Sequence, residues 1–141
     1  MSDVHQIRLE IPSAAEYIGI IRHAVAGIAD RMQFTPGDID DLKLAVGEAC
    51  NNAVKHGCST GSHPFITVTC KVTPGLLEIE VRNRLSGEEP CPVPAPPPDG
   101  MKEGGMGLYI MHTVMDKVDI IWKNKTARIR MTKRLKPHAE F

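Results

Sequence analysis

The sequence predicts an α+β fold of two layers, with helices on one face of a mixed, mostly antiparallel sheet. Five segments alternate between apolar and polar residues, three are apolar at helical spacing, and tight turns join four of the strands in pairs. Too few helices lie between strands for a doubly wound parallel sheet, which needs a crossover for each strand pair. With 141 residues, the chain has the length of one domain.

The composition is that of a globular protein and argues against two classes of partner. Hydrophobic residues make up 42% and charged residues 24%, and the net charge is zero. A neutral chain lacks the long-range field of a non-specific nucleic-acid binder, and no apolar run has the ~20 residues of a membrane span. We expect a cytoplasmic protein, because the first residues lack a signal-peptide pattern and the cysteines lack disulfide-framework spacing.

The first strand and helix are predicted from residues 5–32. His5–Ile11 alternates, and Pro12 ends the strand. Ser13 and Glu16 have capping-box spacing, which predicts the start of a helix of about 18 residues. The apolar stripe of this helix is Ile18, Ile21, Val25, Ile28 and Met32.

A second helix is predicted from Thr35 to His56. Thr35 is the expected N-cap, Pro36 fits the first helical position, and Gly57 can cap the C-terminus. The stripe expected to face the core is Ile39, Leu42, Val46, Ala49, Cys50 and Ala53. A hairpin follows, in which Phe65–Thr73 pairs with a strand that begins near Leu77.

Residues 85–105 form the least regular part of the sequence. Six of the nine positions from 90 to 98 are proline, which predicts an exposed loop of the kind that often serves as a lid. A third helix is expected after Gly107, where Leu108, Met111, Met115 and Val118 recur at helical spacing. Two final strands follow, and the basic run 123–136 is interpreted as their solvated face, with a patch for an acidic partner as the alternative.

The second helix also presents a polar face. Glu48 and Asn52 are one turn apart opposite the apolar stripe, and Lys55 is close to them on the helical wheel. A solvated surface explains this spacing, but so does a ligand site. An Asn oxygen suits one position of an octahedral Mg²⁺, and a carboxylate one turn away can accept a proton from a hydroxyl.

Two further features permit both a structural and a functional interpretation. The glycines at 104–107 precede a helix, where backbone amides can bind phosphate, but they also fit the base of a flexible loop. Asn83 ends a strand, where it can bind the edge of an adenine ring or cap the following turn.

Together these residues resemble a known family. Glu48–His56 is similar to the asparagine-box helix of the Bergerat-fold ATPases, which include gyrase, the large heat-shock chaperone, histidine kinases and MutL-type repair proteins. Gly105–Leu108 is similar to their second glycine box. The anti-sigma-factor serine kinases of bacterial stress and sporulation switches are more similar still. Their pattern extends to three further stretches: Ile11–Tyr17, Gly107–Met111 and Met115–Val118.

The resemblance covers about residues 7–134 and implies one histidine-kinase-like ATPase domain over 1–141, with an ATP lid at about 85–105. It implies that Glu48 is the catalytic base and that Asn52 coordinates Mg²⁺ on the phosphates of ATP. The ATP-binding residues that it implies are Asn52, Lys55, His56, Asn83, Gly87, Lys102, Gly105, Met106, Gly107 and Leu108.

The chain departs from the family pattern in the adenine box. It has Asn83, Leu85 and Gly87 where the family commonly has Asp, Gly and Gly, and the Gly-Thr expected before the last strand is missing. Asn83 can accept a hydrogen bond from the adenine amino group, but without a negative charge. A charge-assisted bond exceeds a neutral one by about 1 kcal/mol, so we expect roughly fivefold to tenfold weaker ATP binding.

The resemblance implies an anti-sigma factor that is also a Mg·ATP-dependent serine/threonine protein kinase. Such a protein is a cytoplasmic homodimer that sequesters a sigma factor and phosphorylates an anti-anti-sigma antagonist, a STAS-type protein. The altered adenine box supports an alternative, a nucleotide-weak module that sequesters a regulatory partner without catalysis. A sensor kinase that phosphorylates a histidine is a weaker third hypothesis, because the sequence offers no helix for the substrate histidine.

Overall fold

The computed structural model describes residues 4–56, 65–84, 105–123 and 126–137. Within them, three helices pack on a five-stranded sheet, which confirms the predicted two-layer fold. The elements in chain order are β1 (His5–Pro12), a 3₁₀ turn (Ala15–Tyr17), α1 (Ile18–Arg31), α2 (Pro36–His56), β2 (Phe65–Thr73), β3 (Leu76–Arg84), α3 (Gly105–Val114), β4 (Lys117–Lys123) and β5 (Thr126–Arg134).

The sheet has the strand order β1-β2-β3-β5-β4. All four pairings between described strands are antiparallel, so the mixed sheet that we expected is antiparallel throughout this part of the chain. Two hairpins, β2-β3 and β4-β5, join edge to edge through β3 and β5. β1 closes the far edge by pairing Pro12 with Phe65 and His5 with Val72.

The first helix differs from the prediction at its start. The chain passes from Pro12 into a 3₁₀ turn whose N-cap is Ala14, so the capping box of Ser13 and Glu16 does not form. The α-helix then begins at Ile18, and its stripe is confirmed. The fully buried members of α1 are Ile18, Ile21, Val25 and Ala29, with Ile28 and Met32 half-buried against the same core.

The second helix is capped as predicted and is the centre of the helical layer. The Thr35 hydroxyl accepts a hydrogen bond of 3.1 Å from the backbone N–H of Asp38, and Pro36 is the first helical residue. α1 runs back along α2 at close range, since a Cβ on Gly47 would be only 2.9 Å from Nε of Arg22. The expected C-cap, Gly57, lies outside the described residues.

The last third of the chain shows three departures from the prediction. α3 begins at Gly105 rather than after Gly107, and Val118 belongs to β4 rather than to this helix. Lys133 belongs to the basic run interpreted as a solvated face, but it is on the helix-facing side of β5 and only 5% exposed. The strand alternation contained the missing signal, because Lys133 follows Ile129 and Met131 in steps of two.

The core lies between the helices and the covered face of the sheet. It contains apolar residues from every helix and from four of the strands, and the buried side chain of Lys133 lies on the same side of the sheet. Among the described residues, no helix is long and apolar enough to cross a membrane.

Candidate active site

Glu48 is directed toward the start of α3. If Gly107 carried a Cβ atom, that atom would be 2.7 Å from Oε1 of Glu48 and 3.6 Å from its Cβ. Real Cβ atoms do not make contacts this short, so a Cβ added at position 107 would displace this carboxylate, which is the flexible end of the Glu48 side chain. Glu48 is therefore half-buried at a helix boundary rather than free in solvent.

α2 and α3 run antiparallel at this boundary. Glu48, in the second half of α2, meets Gly107 in the first turn of α3. At the other end, Lys133 bridges Val114, the last residue of α3, to Asp38 in the first turn of α2. The first turn of α3 is therefore held beside the polar face of α2.

The first four residues of α3 are the four that the sequence assigned to the second glycine box, Gly105, Met106, Gly107 and Leu108. The first four N–H groups of an α-helix have no partner within the helix, and they carry its positive dipole end. The side chain of Leu108 packs against the core and anchors the turn, whereas the side chain of Met106 is 66% exposed. This turn can donate backbone N–H groups to an anion.

Glu48 and Asn52 have unused hydrogen-bonding capacity. Both are half-buried, and neither makes a hydrogen bond or ion pair with any residue in the described ranges. A half-buried carboxylate and amide lose part of their hydration, which a bound partner can restore. Lys55, one turn beyond Asn51 on the same helix, is exposed.

Asn83 lies on the helix-facing side of β3, because it continues the alternation of the buried positions in that strand. It is half-buried, and its register partner is Ile66 at the start of β2, beside the end of β1. The chain turns from β1 into α1, whose Arg22 reaches α2 at Gly47. Asn83 is therefore at the same end of the two layers as the second half of α2.

Three other predicted site residues lie at or beyond the ends of the described ranges. Gly87 and Lys102 lie outside the described residues, as does most of the segment 85–105. His56 is the last residue of α2, and only its backbone is described. The structure thus brings Glu48 into contact with the second glycine box and puts Asn52 one turn further along α2.

The donors present fit a magnesium ion that arrives with phosphate groups. The described residues contain no group of three His, Cys, Asp or Glu side chains that could hold a metal by themselves. Asn52 offers one neutral oxygen ligand, and Mg²⁺ in nucleotide sites commonly takes its other ligands from phosphates and water. Asn52 would hold such an ion, and the first turn of α3 would hold the phosphates.

Neither buried thiol of this region is a candidate nucleophile. Burial raises the pKa of Cys50 to about 12, although Arg22 lowers it by a smaller amount, and burial raises the pKa of Cys70 to about 11. Both thiols stay protonated near neutral pH and therefore unreactive. The carboxylate of Glu48 is a proton acceptor that lies beside the glycine turn.

Comparison with known proteins agrees with this geometry. The profile of the histidine kinase-like ATPase domain matches residues 11–133. A serine-protein kinase RsbW from Bacillus velezensis is 37% identical in an alignment 142 positions long that covers 95% of this chain and 88% of the relative. The chain belongs to the RsbW family. A second member, from Bacillus subtilis, is 35% identical in an alignment 137 positions long that covers 92% of this chain and 85% of the relative.

Two solved structures have the same fold as this RsbW family member. The RsbU and RsbW domains of a Mycobacterium tuberculosis protein match with a TM-score of 0.71 at 18% identity, over 97% of this chain and 34% of that chain. A histidine kinase domain from Erythrobacter litoralis matches with a TM-score of 0.56 at 19% identity, over 89% of this chain and 62% of that one. The predicted Bergerat fold and protein-kinase family are therefore both confirmed.

Proposed function

We propose that this RsbW family member is an anti-sigma factor that phosphorylates an anti-anti-sigma protein on a serine or threonine, using Mg·ATP. The contact between Glu48 and Gly107 carries the proposal, because it holds a carboxylate without a described partner beside the amides of a helix start. Relatives named serine-protein kinases support the reaction type. Mg·ATP, when bound, supplies the phosphoryl group that is transferred.

The chain's own residues accept the proton and bind the phosphates, the metal and the adenine ring. Glu48 accepts the proton of the substrate hydroxyl as its oxygen bonds to the γ-phosphorus and ADP leaves. The N–H groups of residues 105–107 bind phosphate oxygens, and their fixed dipoles stabilise the charge that develops during transfer. Asn52 would hold the metal, and Asn83 would accept a hydrogen bond from the adenine amino group. Phosphoryl transfer needs chiefly such positioning and charge stabilisation.

Transfer of labelled phosphate from ATP to a purified anti-anti-sigma protein in Mg²⁺ tests the proposal. We expect transfer by the wild type and a loss of about 100- to 10,000-fold in kcat for Glu48→Gln, the usual contribution of a general base. Glu16→Gln is the matched control, because it removes an exposed carboxylate from the 3₁₀ turn before α1. Transfer that survives Glu48→Gln unchanged would show that the base is misassigned.

Calorimetry with Mg·ATP separates the kinase from the alternative binding module. We expect Glu48→Gln to bind Mg·ATP within a few-fold of the wild type, because the base contacts the hydroxyl rather than the phosphates. A wild type that binds its sigma factor but no ATP would favour sequestration without catalysis. Sedimentation of the protein with a sigma factor tests the sequestration and the proposed homodimer together.

A further inference from the structure

Lys133 is a buried cation that joins three elements. Its Nζ donates a hydrogen bond of 2.6 Å to the carbonyl of Val114, the last residue of α3. The same atom is 3.8 Å from Oδ1 of Asp38 and 4.0 Å from Oδ2 of Asp41, both near the start of α2. Only 7% of the Lys133 side chain is exposed. A residue of β5 thus links the C-terminal end of one helix to the N-terminal end of another.

Stability alone does not explain an ammonium group at this position. Burying a lysine costs several kcal/mol of hydration, and well-packed apolar residues often stabilise a core as well as a buried ion pair does. The flanking inward positions of β5, Ile129 and Met131, show that this face of the strand accepts apolar side chains. What an apolar residue cannot provide is a directional bond to the end of α3 together with attraction to α2.

The distances along the two helices connect this cation to the candidate site. Val114 is seven residues after Gly107, and Asp41 is seven residues before Glu48. At about 1.5 Å of rise per residue, both intervals are roughly 10 Å. The two helices therefore meet at matched points: Lys133 joins them at one end, and Glu48 packs on Gly107 at the other.

We propose that Lys133 is a positioning residue for phosphoryl transfer, which fixes the register of α3 on α2 and so aligns the amides of residues 105–107 with Glu48. This inference rests on the proposed function for its catalytic readout. Lys133 itself touches neither substrate nor phosphate. A slide of about 1 Å between the helices would misalign the base and the amide cradle without unfolding either helix, and misplacements of that size can cost about 100-fold in rate.

The test compares Lys133→Met with Arg130→Met. Both variants remove a cation from β5, but Arg130 pairs with Glu80 at 3.2 Å on the opposite face of the sheet. Urea unfolding first establishes that each variant is folded under assay conditions. We then expect kcat to fall about 10- to 100-fold in Lys133→Met at an unchanged KM for the protein substrate, and to change less than twofold in Arg130→Met.

The amide resonance of Gly107 in a ¹⁵N-labelled sample reports the register without any catalysis. We expect it to shift in Lys133→Met, to stay in place in Arg130→Met, and to return toward the wild-type position in Lys133→Arg, which keeps a buried donor. If Lys133→Met fails to fold, the pair Asp38→Asn and Asp41→Asn keeps the lysine and weakens the same link. It should give a smaller shift in the same direction.

The outcomes separate the two proposals. A Gly107 resonance and a kcat that are unchanged in folded Lys133→Met would overturn the positioning role, whatever the reaction is. Equal losses in Lys133→Met and Arg130→Met, in proportion to their unfolded fractions, would show a merely structural role. If the Gly107 resonance shifts in Lys133→Met but the wild type transfers no phosphate, the link between the helices stands and the kinase proposal is rejected.

Discussion

The polar side chains at the two ends of α2 differ in whether they have hydrogen-bond or ion-pair partners among the described residues. At the first end, Thr35 caps the helix, and Asp38 and Asp41 face the buried ammonium of Lys133. Toward the second end, Glu48 and Asn52 are half-buried without a hydrogen bond or ion pair to a described residue. Apolar residues fill the core side of the helix at both ends.

This difference distinguishes residues that stabilise the fold from residues available for chemistry. A polar group that is satisfied within the protein gains nothing further from a ligand, whereas an unsatisfied one next to a helix start does. The paired end, where Asp38 and Asp41 face Lys133, holds the helices in place, and the open end, at Glu48 and Asn52, leaves polar groups available to a ligand. Substitutions at the two ends should therefore affect different measurements.

Among the substitutions that compare the two ends of α2, Gly107→Ala should give the largest effect, and it acts on the open end. The added Cβ would be 2.7 Å from Oε1 of Glu48, so the carboxylate must move. We expect kcat for phosphoryl transfer to fall about 100-fold, while the free energy of unfolding changes little, because alanine favours the helix. Gly27→Ala in α1 has open space around its added Cβ and should leave kcat unchanged.

Asn52→Ala should come next, with a loss of about 10- to 100-fold in Mg·ATP affinity. That range corresponds to one bond to a charged group, worth about 1.5–3 kcal/mol. Calorimetry measures it, and Asn51→Ala is the matched control, because Asn51 is exposed on the same turn. Equal affinities in the two variants would contradict the metal-binding role of Asn52.

Alkaline pH should lower the free energy of unfolding through two buried thiols, those of Cys50 and Cys70. The pKa values of Cys50 and Cys70 rise from 9.0 to about 12 and about 11, so above pH 9 the unfolded state loses thiol protons that the folded state keeps. The free energy of unfolding should then fall as pH rises, by up to about 1.4 kcal/mol per pH unit for each thiol. Below about pH 9 both thiols are protonated in the folded and the unfolded state, so neither makes the free energy of unfolding depend on pH.

Urea unfolding at pH 8 and pH 10 measures this loss. Cys50→Ala should show a smaller fall than the wild type, because one of the two buried thiols is gone. A variant with the same pH dependence as the wild type would mean that Cys50 ionises freely in the folded protein.

Thr35→Ala should give the smallest effect and acts on the paired end. It removes the 3.1 Å cap on the N–H of Asp38, which typically costs about 1 kcal/mol of stability. Urea unfolding should show this loss, and Mg·ATP affinity and kcat should not change at temperatures where the protein is folded. A change in kcat would mean that the cap influences the open end.

Local chemistry explains which elements the sequence could predict. The Thr35 cap, the α2 stripe and the β2-β3 hairpin depend on neighbouring residues, and the structure confirms each. The capping box of Ser13 failed because a 3₁₀ turn from Ala15 takes the chain into α1 instead. Spacing alone could not distinguish these two starts, since both satisfy the first amides of a helix.

The candidate site was predictable in its residues but not in its contacts. Periodicity placed Glu48 and Asn52 on one face, and the resemblance linked them to the glycine box more than fifty residues away. No pattern indicated that Glu48 would lie against Gly107, because this depends on how α3 packs on α2. Lys133 was missed for a related reason: the charge of the run outweighed the alternation that puts it inside.

The pairing of β1 with β2 has a consequence for synthesis. The nearest register partners, Pro12 and Phe65, are 53 residues apart, and α1 and α2 lie between them. The first strand therefore leaves the ribosome well before any strand that it can join, and it must wait as a free edge. Folding rates fall as contacts become less local, so closure of this edge should follow the formation of the β2-β3 hairpin.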